Sequence, residues 1–309
     1  MPSSTSSSEI EAQRAEGRRF TRAALAWAAV CLAIYGGWFA WAAPEVQTFQ
    51  NYSARNVSRA EHFLHGEGYQ AVLVGSSLTQ LIPPEALGEA VYNMGFSRES
   101  SLTGLSIAAQ APRLPEVVVI EVNYILREAN EAFVADRLAP LGFALKDTAS
   151  VFQIAAQPMN VILSALRSGY GRSVAQKMND TVDTATLSRL LEGRVKEFGD
   201  RPDPELLAAA IATLSAQVET LIARGCTPMM LLMPVEPALE ETVYAQTIRQ
   251  ALEAAFPSDR FHWVDTARPA PYRTTDSEHL LYADAWDVGE RITAAVTATV
   301  GAGQQEGSP

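Results

Sequence analysis

The chain has 309 residues, 48% of them hydrophobic and 19% charged, which is enough for one large domain or two small ones. Its formal net charge of -11 argues against a nucleic-acid partner, because phosphate binding requires basic patches. The two cysteines, Cys31 and Cys226, are not expected to form a disulfide, because Cys31 lies in an apolar segment.

The N-terminal part of the sequence predicts a membrane anchor. Residues 1–22 form a polar leader, expected to be disordered and cytoplasmic, and several arginines lie near its end. Residues 23–43 carry no charge and, at about 1.5 Å per residue, just span a bilayer core of about 30 Å. The arginines place the N-terminus in the cytoplasm by the positive-inside rule. We therefore expect a single-pass protein of the inner (plasma) membrane whose remaining chain is periplasmic or otherwise extracytoplasmic.

A cleaved signal peptide is the alternative to this anchor. The Ala40-Trp41-Ala42 sequence resembles a signal-peptidase site. However, the polar leader is long and the apolar run exceeds a typical signal-peptide core, which favours an uncleaved anchor. Residues 44–69 follow it and are predicted to form a polar, mostly helical connector.

The first predicted strand is followed by a glycine and two hydroxyl side chains. Residues 71–74 are apolar and mostly β-branched, and Gly75, Ser76 and Ser77 come next. Helix capping explains this sequence, because serine is a preferred N-cap residue and glycine favours the turn. A nucleophilic serine is the alternative, because α/β sheets place their sites at the carboxyl ends of parallel strands. Taken alone, the stretch favours capping.

Further strands and helices alternate along the rest of the chain. Strands are predicted at residues 91–94, 117–120, 229–233 and 261–264, and helices at residues 100–111, 204–224, 242–256 and 281–300. Such alternation is typical of a doubly wound parallel sheet. We expect one domain over residues 70–300, followed by a disordered tail over residues 301–309.

Residues 127–202 do not fit this alternation and are predicted to form an insertion. A connection of this length is usually functional or has structure of its own. Its apolar patch at residues 151–166 would be costly to leave in water. The insertion is either a harmless helical excursion or a functional surface. As a lid, it would cover the Ser77 cleft and control which acceptor enters.

Polar residues that follow the predicted strands suggest a site for acyl transfer. The carboxyl ends of parallel strands meet at one edge of the sheet, so Ser77, Gly95 and Asn123 should converge there. A serine nucleophile needs a base, and the base needs an orienting carboxylate. Asp276 and His279 are three residues apart, which in a helical turn puts both on one face. The backbone N–H groups of Ser77 and Gly95 and the carboxamide of Asn123 are the predicted oxyanion donors.

Two alternatives to this arrangement are less favoured. The α/β-hydrolase elbow has the pattern G-x-S-x-G, whereas Thr79 stands two residues after Ser77. Asp265 is a rival for the carboxylate that orients the base, although its place directly after a predicted strand suits helix or turn capping.

At these positions the sequence resembles the SGNH (GDSL-type) hydrolase superfamily, from the first predicted strand to the last predicted helix. The nucleophile of the family's GDSL block matches Ser77, the glycine of its second block matches Gly95, and the asparagine of its third block matches Asn123. The family's DxxH pair matches Asp276 and His279. The resemblance implies a flavodoxin-like three-layer α/β/α sandwich with a parallel sheet, and a hydrolase or transferase that acts on acyl groups.

The sequence departs from the family pattern beside these residues. Ser76 stands where the GDSL block has its aspartate, and Glu121 and Tyr124 replace the glycine and the aspartate of the GxND block. None of the replaced positions supplies a catalytic group in the family. The insertion at residues 127–202 is not matched by the resemblance.

Two functions of different classes remain open. The first is a membrane-tethered serine esterase or O-acyltransferase acting on acyl esters of an envelope glycan or related substrate, with no cofactor and no metal. A multi-pass membrane acyltransferase is a candidate partner. The second is a non-catalytic SGNH-fold envelope protein that binds glycan or docks a membrane acyltransferase. Hydrolysis and transfer are not distinguished, because water and a sugar hydroxyl would attack the same acyl-enzyme.

Overall fold

The domain is built on a sheet of five parallel strands. The computed structural model describes residues 7–42, 44, 46, 51–66, 68–167 and 184–306, and the strands in these ranges are β1 Ala71–Gly75, β2 Val91–Gly95, β3 Val117–Glu121, β4 Thr227–Leu231 and β5 His262–Trp263. Their order across the sheet is β2-β1-β3-β4-β5, which is the order of flavodoxin-like doubly wound sheets. The chain runs from β1 to one side and then returns to the other side at β3. The crevice between the carboxyl ends of β1 and β3 is therefore the switch point where ligands bind in such folds.

The two central strands read as apolar runs because both of their faces are covered. Every residue of β1 and β3 is buried, as expected for strands between two helical layers. The register pairs Ala71 with Val91 on one side and with Val117 on the other. This register brings the ends of β1, β2 and β3 to the same edge of the sheet.

Helices cover both faces of the sheet. In chain order they are α1 Ser7–Ala42, α2 Tyr52–His65, α3 Ser77–Gln80, α4 Pro84–Leu87, α5 Ser101–Gln110, α6 Glu131–Leu138, α7 Pro140–Thr148, α8 Pro158–Arg167, α9 Thr184–Glu197, α10 Pro204–Ala223, α11 Pro237–Glu240, α12 Val243–Ala255 and α13 Tyr282–Glu306. Apolar residues of α2, α5, α10 and α12 form the core on one face. Residues of α3, α4 and α13 form the core on the other face. The domain is thus an α/β fold consistent with three layers.

The predicted connector at residues 44–69 is wrong in part, because α2 belongs to the domain. Ala60, Phe63 and Leu64 of this helix pack into the core. The helix begins after Asn51, whose side chain accepts a hydrogen bond from the Ala54 N–H at 2.8 Å. The apolar residues are spaced at three and four positions among polar ones, which is the pattern of a helix with one buried face. The domain therefore starts near Asn51.

The disordered ends predicted from the sequence are shorter in the structure. Helix α1 begins at Ser7, so the leader is helical from there to residue 22, and residues 1–6 lie outside the described part of the chain. Alanine, glutamate and arginine, which are common in this leader, are strong helix formers. Helix α13 continues to Glu306, which contradicts a disordered tail starting at residue 301; residues 307–309 are outside the described residues.

Two of the described helices are long and apolar enough to cross a membrane, Gln13–Ala42 within α1 and the whole of α10. In α1, only 6% of the most apolar window is buried inside the protein. By contrast, α10 packs Leu214 and Leu221 against the sheet and is a core helix. The N-terminal helix therefore remains the candidate anchor.

The predicted insertion contains α6 to α9, and its first half is attached to α2 by a buried carboxylate. Glu61 is 3% exposed. One carboxylate oxygen lies 3.0 Å from Arg137 Nη1 and 2.8 Å from Lys146 Nζ, and the other accepts the Ile154 N–H at 2.6 Å. Two 3₁₀ turns, Ser150–Phe152 and Ile154–Ala156, connect α7 with α8. Residues 168–183 lie outside the described residues.

Candidate active site

A chain of hydrogen bonds joins three of the residues predicted for catalysis. His279 Nε2 lies 2.9 Å from Ser77 Oγ, and His279 Nδ1 lies 2.7 Å from Asp276 Oδ2. Ser77 follows β1, whereas the other two residues precede α13. A hydroxyl, an imidazole and a carboxylate in this order are the arrangement in which a serine is activated for nucleophilic attack.

The turn after β1 separates the two explanations given above for its serines. Ser76 is the N-cap of α3, and its side chain accepts a hydrogen bond from the Leu78 N–H at 3.2 Å. Ser77 is the first residue of the helix, so capping does not engage its hydroxyl. A side chain at Gly75 would collide with Thr79 Oγ1 and come within 2.8 Å of Glu121 Oε2. Glycine is therefore required where the strand turns into the helix.

The loop that carries Asp276 and His279 is a tight turn and not the helical turn predicted from their spacing. Thr274 and Leu280 pair as an antiparallel bridge around it, and Ser277 adopts φ 80°. Asp276 Oδ1 accepts the backbone N–H of His279 at 2.8 Å, while Oδ2 binds the His279 ring. One carboxylate thus shapes the turn and orients the base.

The electrostatics of the pair suit a general base held by an ionised acid. Burial raises the pKa of Asp276, but the hydrogen bonds from the ring and backbone of His279 outweigh it and lower this pKa to about 2. Burial lowers the pKa of His279, but the hydrogen bond and charge of Asp276, with smaller contributions from Glu278 and Glu121, raise it above its ordinary value. The hydrogen-bond network places the proton of the neutral His279 ring on Nδ1, where it is donated to Asp276. Nε2 is then free to accept a proton from Ser77.

Two of the three predicted oxyanion donors are engaged elsewhere. The Gly95 N–H donates to Asn93 Oδ1 at 2.9 Å. Asn123 Nδ2 donates to the Met233 carbonyl at 2.8 Å, and Asn123 Oδ1 accepts the Met233 N–H at 2.8 Å. The Gly95 N–H and one of the two side-chain N–H groups of Asn123 are therefore already bonded within the protein. Ser77 N–H, at the first helical position, has no acceptor within its helix.

Each of these hydrogen bonds has a local cause. Asparagine side chains readily bond to the backbone two residues ahead, which is what Asn93 does with Gly95. The same Asn93 donates to the Thr79 carbonyl at 2.8 Å and so ties β2 to α3. Asn123 braces the segment after β3 against the segment after β4. Its side-chain nitrogen carries two N–H groups, and one of them bonds to Met233 in the described part of the chain.

A buried carboxyl group lies directly beneath the nucleophile turn. Glu121, at the end of β3, is fully buried, and its Oε2 accepts the Ser76 N–H at 2.6 Å. Its Oε1 has no hydrogen-bond partner among the described residues. Burial raises the pKa of Glu121. The sequence showed only that glutamate replaces the family's glycine here, and gave no role for it.

The last helix of the insertion reaches the loop that carries the acid and base. Glu278 lies between Asp276 and His279 and is 7% exposed. It receives hydrogen bonds from Tyr124 Oη and from Arg194 Nη2 of α9, the latter at 3.1 Å. Neither Glu278 nor Arg194 was predicted from the sequence, because nothing in the spacing shows that α9 returns to this loop.

A cleft opens at the carboxyl ends of β3 and β4, beside this contact. Its empty volume is about 600 Å³, part of it open to solvent. Apolar and aromatic side chains predominate in its lining, which includes Tyr124, Phe198, Met233, Leu239, Tyr244 and Ile248. Such a lining, with few polar groups, is typical of a small-molecule site.

The other candidates from the sequence are placed away from this chemistry. Asp265 Oδ1 accepts the Ala267 N–H at 2.9 Å, which is the capping role expected of it, whereas Asp276 is the carboxylate that binds His279.

In the described part of the chain, no group of three or more His, Cys, Asp or Glu side chains is arranged to hold a metal ion.

Comparison with known proteins gives no relative from which a role can be transferred. No protein-family model matches the chain. No curated protein matches it significantly.

Proposed function

We propose that this chain is a membrane-tethered serine esterase or O-acyltransferase of the SGNH type. The observation that carries the proposal is the continuous hydrogen-bond chain from Asp276 through His279 to Ser77. Its position at the carboxyl edge of a parallel sheet, next to the switch point between β1 and β3, supports the proposal further. No cofactor enters the proposed chemistry.

The proposed reaction follows from which atoms face one another. Ser77 Oγ attacks the carbonyl carbon of an ester while His279 Nε2 takes the hydroxyl proton. Asp276 stays ionised and stabilises the imidazolium. The tetrahedral intermediate collapses to an acyl-serine, and the departing alkoxide takes the proton from His279 Nε2. Water or a sugar hydroxyl then attacks the acyl-serine while His279 Nε2 takes its proton. The second tetrahedral intermediate collapses to an acid or a new ester, and Ser77 Oγ takes the proton back from His279 Nε2.

The substrate proposed is an acylated glycan or a related ester of the cell envelope. An N-terminal helix long and apolar enough to cross a membrane supports tethering to the inner membrane. The arginines before it favour a cytoplasmic N-terminus and an extracytoplasmic domain. We propose esterified glycans of that compartment as the substrates, and a multi-pass membrane acyltransferase as a partner that supplies the acyl group.

A non-catalytic role is the second candidate, and one observation favours it. The Gly95 N–H and the Asn123 carboxamide, which would stabilise the oxyanion in an enzyme of this type, both have partners within the protein. A binding protein that kept the scaffold without the reaction would tolerate this. In that case the domain would bind glycan or dock an acyltransferase through the cleft at β3 and β4.

Labelling with a fluorophosphonate tests the two candidates against each other. The wild-type chain should be labelled at Ser77, and Ser77→Ala should not. Ser76→Ala is the matched control, because it removes the neighbouring hydroxyl and leaves the triad intact; it should be labelled. A folded wild-type protein that neither reacts with the label nor hydrolyses a small activated acetate ester would contradict the enzyme and favour the binding protein.

A further inference from the structure

The membrane-anchor helix contacts the insertion near its outer end. Tyr35 Oη donates to the Ala156 carbonyl at 2.6 Å. Gly36 lies against Val151, whose side chain would be 3.5 Å from a Cβ at that glycine. Tyr35 is about 5 Å along the helix from Trp38 and about 9 Å from Trp41. Tryptophans at the end of an apolar helix mark the membrane–water interface, so the contact lies close to that level.

The two 3₁₀ turns that touch α1, and the helices α7 and α8 that pack on these turns, expose large apolar side chains. Val151 of the first turn and Ala156 of the second contact α1, and the first turn packs on α7 while the second packs on α8 and on α2. We call these exposed side chains the apolar face; they are Leu141, Leu145, Phe152, Met159, Ile162 and Leu166. Leu141 is 76% exposed and Leu166 is 75% exposed. Single exposed apolar residues are ordinary, but a group of them in one segment usually marks an interaction surface.

Helix α8 has the inverse of the pattern of a water-facing helix. Its polar residues Asn160 and Ser164 are buried against the protein, and Asn160 Nδ2 donates to the Ile154 carbonyl at 2.7 Å. Its apolar residues Met159, Ile162 and Leu166 are exposed. The spacing of three and four residues puts these three on one side of the helix. A helix with polar residues inside and apolar residues outside is matched to an apolar environment.

We propose that the apolar face inserts into the outer leaflet of the same bilayer that α1 crosses. The proposal rests on the anchoring of α1 that is part of the proposed function. Because α1 is bare of protein over most of its apolar window, lipid surrounds it. The turns that touch α1 near Trp38, and α7 and α8 packed on these turns, then meet lipid at a similar depth. Short helices that lie in the interface satisfy their backbone groups internally, as this location requires.

Insertion of the apolar face would fix the orientation of the domain. A single helix leaves a tethered domain free to rotate and tilt about its attachment. A second contact, carried by α7 and α8, removes that freedom. Glu61 joins this membrane-facing part of the insertion to α2, and α2 packs on the sheet whose edge carries Ser77. Ser77 and the sheet edge that carries it would then be held at a constant height above the lipid surface.

Site-specific fluorescence in the full-length chain tests this placement. In a Cys31→Ala background, Ile162→Cys is labelled with an environment-sensitive dye, and the protein is reconstituted in phosphatidylcholine vesicles without any other protein. Cys226 is 4% exposed and should not react. Thr213→Cys on α10 is the matched control, because Thr213 is exposed but lies on a helix of the domain. We expect the dye at position 162 to be quenched several-fold more strongly by acyl-chain-brominated lipid than the dye at position 213.

A third probe separates failure of this proposal from failure of the anchor. Dye on the native Cys31, in the exposed middle of α1, reports whether this helix lies in the bilayer. If Cys31 is quenched by lipid and position 162 is quenched only by aqueous iodide, the apolar face is not in the membrane and the inference is overturned. If neither is quenched by lipid, the anchor fails and the inference fails with it. If position 162 is shielded from iodide but is not quenched by lipid, and the shielding increases with the number of protein molecules per vesicle, a second copy of the chain covers the apolar face. That result would also overturn the inference.

Discussion

His279 Nε2 lies 2.9 Å from Ser77 Oγ, although the two residues are 202 positions apart in the sequence. The contact exists because β1 and the loop before α13 both end at the carboxyl edge of the sheet. If the two side chains act with Asp276 as one unit, their substitutions should not add. Ser77→Ala and His279→Ala should each lower kcat/KM for a small activated ester on the order of 10⁴-fold or more, and the double variant should be little worse.

The control for this experiment is Ser76→Ala. It removes the N-cap hydrogen bond of α3 and should cost about 1 kcal/mol of stability with mild loss of activity. Kinetic assays and thermal unfolding of the same preparations distinguish the two effects. If Ser76→Ala abolishes activity while Ser77→Ala does not, the nucleophile has been assigned to the wrong serine.

The activity should depend on pH through the ionisation of His279. In the proposed reaction the neutral imidazole is the base, so kcat/KM should rise with pH and reach a plateau above the pKa of His279. The hydrogen bond and charge of Asp276 raise this pKa above its ordinary value. In Asp276→Asn the hydrogen bond to an anion is lost, so the midpoint of the profile should move to lower pH while the plateau falls. A midpoint that stays in place in this variant would contradict the assignment of Asp276 as the partner of His279.

The same pair should affect stability at the two ends of the pH range. The pKa of Asp276 is lowered to about 2, so its contribution is present above pH 3.8 and is lost as the pH falls toward 2. The pKa of His279 is raised, so its contribution is present below pH 6.5 and is lost as the pH rises through the folded value. Thermal unfolding of the wild type and of Asp276→Asn over pH 2 to 9 measures both; the variant should show a flatter dependence.

Asn123 should contribute to both stability and rate. Asn123→Ala leaves the Met233 N–H and carbonyl without partners and should cost about 1–3 kcal/mol of unfolding free energy. If the second N–H of the Asn123 carboxamide reaches the oxyanion, kcat should also fall by about 10²–10³-fold. Chemical denaturation and steady-state kinetics on one preparation separate the two contributions. Loss of stability with an unchanged kcat would remove Asn123 from the oxyanion hole.

Arg194 should couple the insertion to the substrate cleft. Arg194→Ala removes a contact between α9 and Glu278, next to His279. We expect KM for a glycan ester to rise several-fold while hydrolysis of a small activated ester stays nearly unchanged, because the triad itself is not altered. Arg189→Ala is the matched control, since Arg189 is exposed on the same helix. Equal effects of the two variants on the glycan ester would argue against α9 as part of the cleft.

Glu61 of α2 should contribute strongly to stability, because it attaches the insertion to the rest of the domain. Glu61→Ala leaves Arg137 and Lys146 without their shared carboxylate in a largely buried setting and should cost about 3–5 kcal/mol. Glu219→Ala on α10 is the control, because Glu219 is exposed, and should change stability by less than about 0.5 kcal/mol. The measurement is urea unfolding of both variants. A loss of less than about 1 kcal/mol in Glu61→Ala would show that the attachment is weak.

The parts of the site that follow from periodicity and topology were predictable from the sequence. Buried strands of a parallel sheet are recognisable as apolar runs, and their carboxyl ends meet, so Ser77 could be paired with Asp276 and His279 before the fold was known. The local form of the Asp276 turn was not predictable, because a spacing of three residues fits a helix and a tight turn equally well.

The remaining parts depend on contacts between segments that are distant in sequence. Whether the Gly95 N–H is free is decided by the side-chain conformation of Asn93, and Asn123 competes in the same way for the backbone of Met233. The surroundings of the apolar patch at residues 151–166 also depend on such contacts. The 3₁₀ turns at the start of this patch lie against α1 and α2, while α9 is the part of the insertion that contacts Glu278 beside His279. Patterns in the sequence show that a surface is apolar but not what it faces.

The two oxygens of Asp276 have different tasks, and this limits how the loop can evolve. One oxygen closes the turn and the other holds the imidazole, so the number of residues between acid and base is fixed. A one-residue insertion between positions 276 and 279 would break both hydrogen bonds together. The separation between Ser77 and this loop is under no such restriction, since the sheet brings the two together whatever lies between them. Related chains should therefore vary in length before the loop, in the segment from β3 to α10, and keep the loop itself at constant length.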